Sequence, residues 1–191
     1  MKIFGIDPGS ERTGYGCIET DGSRHRLVAC GAISAPPNAE FSQRLLAIHD
    51  GLRKLLEEHR PDCVAIEDVF HARNVRSALK LGHARGVALL AATEAGIPVA
   101  AYTPAEVKRA VVGYGRAEKQ QVQHMIRLLL GLAAAPASYD ASDALAIAIC
   151  HLHSAPPAAI RARLGQAERG TPRTWRSFDP SAPAARSKRP H

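Results

Sequence analysis

The stretch Ile3-Phe4-Gly5-Ile6-Asp7-Pro8-Gly9-Ser10, read together with Gly14-Tyr15-Gly16-Cys17-Ile18-Glu19, decides the fold. Ile3 to Asp7 is a short apolar run ending on an acid, and Pro8-Gly9-Ser10 is turn chemistry, so Gly14 to Glu19 returns as a second strand. Leu27 to Ile33 supplies a third and completes an antiparallel meander. Phe41, Leu45, Ile48, Leu52, Leu55 and Leu56 recur at helical spacing, which predicts an amphipathic helix over 41 to 59 facing the sheet. Pro61 then resets the chain, and Cys63 to Ile66 is a fully apolar strand ending at Glu67. With a helix between it and the meander, this strand should run parallel to a neighbour through a right-handed crossover. Val99 to Tyr102 is a fifth strand. The expectation is an α/β fold with a five-stranded mixed sheet flanked by helices.

The segment Asn74 to Ala95 has the length of a helix, but Val87 to Ala92 is apolar on every side, so two faces need cover. The sheet takes one. Gly82 and Gly86, four apart, would let another backbone approach the other, which is either a subunit contact or a surface buried within the monomer. Thr103-Pro104-Ala105-Glu106 is a capping box with Pro at the first helical position, so a helix starts there. Gly113 and Gly115 break it, another helix covers about Ala117 to Leu130, and the last runs from about Asp140 to Leu152. Residues 155–191 hold six prolines amid Arg, Ser and Ala with little periodic apolar pattern, and read as a disordered tail behind a single domain of residues 1–154.

Length and composition agree with one domain: 191 residues at 46% hydrophobic content suffice for one sizeable core. No cleavable signal is expected ahead of Ile3, and no run reaches about 18 apolar residues, so no membrane association is expected. Cys17, Cys30, Cys63 and Cys150 are widely spaced within apolar runs, as reduced thiols of a cytoplasmic protein would be. The formal charge is +7, of which the tail carries +6 (eight basic residues against Glu168 and Asp179). Residues 1–72 hold 8 basic and 11 acidic side chains, whereas 73–127 hold nine basic and three acidic. Acids thus collect in one part of the domain and bases in an adjoining segment, as gripping a phosphate backbone would require.

The acids themselves carry the chemistry. Asp7 and Glu67 end two strands which, if adjacent and parallel, finish about 4.8 Å apart. The crevice beyond such strand ends is where open α/β sheets bind ligands. Asp140 and Asp143, spaced i and i+3, share a face of the last helix, and packing its Leu145, Ile147 and Ile149 side on the sheet would deliver both to that crevice. Like charges about 4 Å apart repel by roughly 4 kcal/mol at an effective dielectric near 20, so the cluster calls for a cation. All-oxygen donors suit Mg²⁺ or Mn²⁺. Taken singly, each acid also has a plain structural reading: a turn opener, a strand end or a helix cap.

Ile6-Asp7-Pro8-Gly9 followed by Thr13-Gly14-Tyr15-Gly16 resembles the opening of the RuvC family of Holliday-junction resolvases. So do Ile66-Glu67-Asp68-Val69-Phe70, the run from Ser77 to Gly86, Tyr102-Thr103-Pro104, Val111-Val112-Gly113 and Asp140-Ala141-Ser142-Asp143-Ala144-Leu145-Ala146, all in the family's order. The resemblance implies a ribonuclease-H-like fold, a homodimer formed through helix 74–95, and metal-dependent cleavage of four-way DNA junctions in recombination and repair. A branch-migration helicase complex of the RuvA and RuvB type is the partner it implies. The family's four acidic positions fall on Asp7, Glu67, Asp140 and Asp143, its junction-contacting aromatic on Phe70, and its phosphate-contacting lysines on Lys108 and Lys119.

Read as side chains, Phe70 could stack on an unpaired base for about 1 to 3 kcal/mol or pack beneath its own loop. Arg73 and Arg76 charge that loop, Lys108 sits on the short helix before the Gly113 to Gly115 loop, and Arg116 and Lys119 start the next helix, where backbone N–H groups favour phosphate. The expected reaction is hydrolysis in which two cations, typically about 3.5 to 4 Å apart, activate water and stabilise the leaving oxygen, giving 5′-phosphate and 3′-hydroxyl ends. Asp7 would bridge the ions, Glu67 and Asp143 complete them, and Asp140 support or ligate one. The rival readings are an actin-like ATPase, for which the chain lacks a second lobe, a DNA-structure-binding module without catalysis, and an RNA-directed nuclease of the same fold.

Overall fold

The computed structural model describes residues 1–36, 38–68 and 74–154. The tail, Phe70 and Arg73 lie outside the described residues. The elements run β1 (Lys2–Asp7), β2 (Arg12–Thr20), β3 (His25–Ser34), α1 (Phe41–His59), β4 (Cys63–Glu67), α2 (Val75–Glu94), β5 (Val99–Tyr102), α3 (Pro104–Val112), α4 (Lys119–Leu129) and α5 (Tyr139–Ser154). The sheet order is β3-β2-β1-β4-β5. The β1–β2 and β2–β3 pairs are antiparallel, β1–β4 and β4–β5 parallel. Both the meander and the crossover thus follow the patterning, and β1 and β4 do lie side by side.

Strand alternation splits the core in two. Phe4, Ile6, Cys17, Val64 and Ile66 face α1 and α2, against Ile48, Leu52, Leu56, Ala88, Ala91 and Ala92. Ile3, Ile18 and Ala65 face the opposite way, onto α5, with α3 and α4 packed outside it through Val107, Val111, Val122 and Ile126.

The helices add detail to the expected patterns. The Leu145, Ile147 and Ile149 side of α5 is expected against the sheet, and Ala141 to Cys150 are all buried except Asp143, because α5 is sandwiched between sheet and outer helices. The α2 helix, whose second face is expected to be either a subunit contact or buried within the monomer, uses Ala84, Ala88, Ala91 and Ala92 inward and leaves Leu79 59% and Leu90 51% exposed. On that open side, a Cβ built on Gly82 or Gly86 would meet nothing. The α4 helix begins at Lys119, two residues late, because the Gln121 side-chain oxygen reaches back to accept the Glu118 N–H at 2.9 Å. The capping box of α3 is present as expected: Glu106 accepts the Thr103 N–H at 2.8 Å.

Candidate active site

Glycines set how close α5 comes to the sheet. A Cβ on Gly5 would stand 2.0 Å from the Ala144 carbonyl oxygen, and one on Gly14 would stand 2.2 Å from that of Asp140. On Gly16 it would meet the Leu145 side chain at 2.7 Å. These strand-interior glycines, costly in themselves, form a trough across β1 and β2 that seats the first turns of α5 against backbone. Asp140 and Asp143 are carried by that contact to the end of the sheet where β1 and β4 finish at Asp7 and Glu67. Beside it the turn after Asp7 is locked, as Thr13 donates its hydroxyl to the Gly9 carbonyl at 2.9 Å.

Asp7 from β1, Glu67 from β4 and Asp143 from α5 line one cleft of about 270 Å³, with Lys108 from α3 and Lys119 from α4 on its wall. Val107, Val122, Pro104 and Ala146 make the rest of the lining apolar. In this setting the Asp7 carboxyl is pushed up to about 8, chiefly by burial and then by the charges of Glu67 and Asp143, with Lys119 opposing. Burial and Asp143 also raise Glu67, against Lys119 and Lys108.

The acids on α5 have built-in counter-ions. Lys119 Nζ lies 2.9 Å from Asp143 Oδ2, which raises the lysine's own pKa. Arg12 Nε lies 3.0 Å from Asp140 Oδ2. Asp140 stands at the rim and not in the lining, though its charge still acts on Asp7. Both cationic side chains are more than half exposed, so each pair is weak and exchangeable. As the side chains stand, no group of three or more His, Cys, Asp or Glu among the described residues is arranged to hold a metal ion. The carboxylates share a cleft without converging on one point, as unscreened like charges should.

Of the other expected contacts, Lys108 is half-buried in the cleft wall while Arg76, at the start of α2, and Arg116, before α4, are exposed. Sequence reasoning missed Arg12 and the trough. No spacing rule points to Arg12, whereas three glycines inside two adjacent strands were a readable sign of close approach. It also missed Arg85 of α2, whose Nε donates to the Glu67 carbonyl at 3.2 Å and whose Nη2 lies 3.1 Å from Asp68 Oδ1. His151 and His153 make structural bonds: His151 pairs with the Tyr102 hydroxyl at 2.8 Å and His153 donates to the Ala110 carbonyl at 3.1 Å.

A family model described as crossover junction endodeoxyribonuclease RuvC matches residues 3–151. The chain belongs to the RuvC family. The RuvC crossover junction endodeoxyribonuclease of Chloroflexus aggregans is 52% identical over 156 residues, which is 82% of this chain and 95% of that protein. Its counterpart from Geobacter sulfurreducens is 54% identical over 155 residues, 81% of this chain and 94% of that protein. A solved structure of Thermus thermophilus RuvC in complex with Holliday junction substrate matches with a TM-score of 0.75 at 39% identity, over 86% of this chain and 96% of that one. The ribonuclease-H-like fold of RuvC, with its five-stranded mixed sheet, is therefore the fold of this chain.

Proposed function

We propose that this chain is a crossover junction endodeoxyribonuclease, resolving four-way DNA junctions by paired phosphodiester hydrolysis in recombination and repair. The observation that carries this reading is the cleft in which acids from β1, β4 and α5 meet two lysines, on a chain matched to RuvC along residues 3–151. Residues 1–154 form the nuclease domain.

The residues present fit divalent cations. Every candidate ligand is a carboxylate, which suits Mg²⁺ or Mn²⁺, and a cation would offset the burial and mutual repulsion that raise Asp7 and Glu67. Asp7, Glu67 and Asp143 would hold two such ions, with Asp140 joining from the rim. When bound, these ions lower the pKa of water and offset charge on the leaving 3′ oxygen. The chain's own side chains bind and orient. Lys108 and Lys119 take the scissile phosphate, Arg76 and Arg116 extend the grip along neighbouring phosphates, and the apolar lining limits bulk water. By resemblance, Phe70 contacts the junction, and Arg73, three positions on in the sequence, adds positive charge for the DNA backbone. In-line attack leaves 5′-phosphate and 3′-hydroxyl ends.

One cleft cuts one strand, so paired nicks need a second copy. The exposed groove of Leu45, Leu79, Gly82, Gly86 and Leu90 on α1 and α2 is the surface we assign to a homodimer. Among the described residues no helix is long and apolar enough to cross a membrane. We place the protein in the cytoplasm, acting with a branch-migration complex of the RuvA and RuvB type.

The test offers a four-way DNA junction, a linear duplex and a structured RNA to the parent chain and to Asp7→Asn, with Mg²⁺ or Mn²⁺. The parent should nick the junction in opposed strands, and the variant should bind it uncut. A parent that binds junctions but cuts nothing in either metal would make the protein a binding module instead, and preferential cutting of the RNA would move the substrate class.

A further inference from the structure

Glu67 is the last residue of β4, where strand pairing runs out. Its main chain is paired in register with Tyr102 of β5, and the Asp68 N–H donates to the Tyr102 carbonyl at 2.7 Å. At that end Arg85 reaches over from the middle of α2 and makes two bonds with one guanidinium: Nε to the Glu67 carbonyl at 3.2 Å, and Nη2 to Asp68 Oδ1 at 3.1 Å. Both side chains are mostly buried, Arg85 with 25% and Asp68 with 29% exposed, so this pair is less open to solvent than those of Arg12 or Lys119. A planar fork spanning a carbonyl and the next residue's carboxylate fixes direction as well as distance, which an ammonium cannot do.

We propose that Arg85 is a positioning residue for Glu67. Resting on the cleft reading above, it clamps the Glu67–Asp68 peptide through the Glu67 carbonyl and the Asp68 side chain. The Glu67 carboxylate is thereby aimed into the cleft from a fixed backbone, not from a fraying strand end. Arg85 is not itself a lining residue of the cleft, and among the described residues its bonds reach the cleft through Glu67. Removing a group that orients a metal ligand typically lowers metal affinity or activity by about 10- to 100-fold. Asp68 is the other half of the clamp: without its carboxylate the fork keeps only the carbonyl.

The test uses the full chain and the variants Arg85→Ala, Arg85→Lys and Asp68→Asn. Three quantities are read: single-turnover cleavage of a four-way junction, junction affinity without divalent ion, and the Mn²⁺ concentration giving half of the Mn²⁺-induced thermal shift in DNA-free protein. Arg85→Ala should cut about 10- to 100-fold more slowly and need several-fold more Mn²⁺, with junction affinity within about twofold. Arg85→Lys and Asp68→Asn should fall between it and the parent. Cleavage and Mn²⁺ midpoint both within twofold of the parent would overturn the proposal, as would losses accompanied by equal loss of junction affinity and of cooperative melting. Should Arg85→Ala fail to fold, the two milder variants are judged by the same criteria. A parent chain that leaves junctions intact would overturn the proposed function instead, and the Mn²⁺ midpoint would then decide the role of Arg85 on its own.

Discussion

Replacing Asp7 with Asn should make the metal-free protein more stable at alkaline pH while abolishing its chemistry. The Asp7 carboxyl is raised from 3.8 to about 8, first by burial and then by Glu67 and Asp143. A folded-state pKa above the unfolded one means that the native state holds the proton more tightly. Its contribution is fully present below about 3.8 and is lost as pH rises through about 8. About four pH units at 1.36 kcal/mol each put the ceiling of that loss at roughly 6 kcal/mol. The cleft is open at its mouth and the Lys119 side chain is more than half exposed, so about 2 to 3 kcal/mol is the expected size. For a domain of this length, each kcal/mol moves the Tm by about 2 to 4 °C.

Asparagine cannot ionise, so in chelator at pH 8 Asp7→Asn should melt about 5 to 10 °C above the parent. At pH 5 the parent's Asp7 is mostly protonated and the gap should shrink to about a third or less. Adding Mg²⁺ at pH 8 should raise the parent and move the variant much less, narrowing the difference again. Differential scanning calorimetry at both pH values, with and without metal, reads all four numbers. A variant no more stable than the parent at pH 8, or one whose gain is the same size at pH 5, would refute the electrostatic account. The latter result would trace the gain to packing.

Gly14→Ala pushes a Cβ against the Asp140 carbonyl, so it should cost about 1 to 3 kcal/mol by denaturant melt and abolish cleavage while junction binding survives in a gel-shift assay. Arg12→Ala removes an exposed partner of Asp140, so stability should change by less than about 1 kcal/mol and the half-saturating Mg²⁺ for cleavage should fall, not rise. Gly86→Leu places a side chain where the monomer has open space; the chain should fold normally but sediment as a monomer if α2 forms the subunit face.

The strands and helices were legible because the patterns that build them are local. A five-residue apolar run between turn residues, a 3.6-residue stripe from Phe41 to Leu56 and a capping box at Thr103 each report on their own neighbourhood. The placement of Asp7 beside Glu67 was legible for a different reason: one crossover rule leaves few arrangements for a strand, a helix and another strand. The counter-ions were not legible. Arg12 and Asp140 are 128 positions apart and meet only because α5 lies across β2, a fact that depends on the whole sheet order. Lys119 carries the same lesson, since the features that suggested a phosphate contact also suit a partner for Asp143.

Most instructive is the contrast between α2 and α5. Apolar composition marks both as helices that need cover, and in the fold α5 is enclosed while α2 keeps an open flank. Composition states how much cover a helix needs, not which neighbour supplies it. The α5 helix gains cover from α3 and α4, whose hydrophobic stripes are short and easily undervalued. The α2 helix ends at the sheet's margin beside α1, with nothing in the chain left to lie on Leu79 and Leu90 among the described residues. Had the three strand glycines been weighed as a seat for a helix, they would have pointed to α5, because only a backbone pressed into β1 and β2 justifies glycine at Gly5, Gly14 and Gly16 together. The same contact that buries α5 brings Asp143 to the cleft and Asp140 to its rim, so the burial of α5 and the site geometry have one cause.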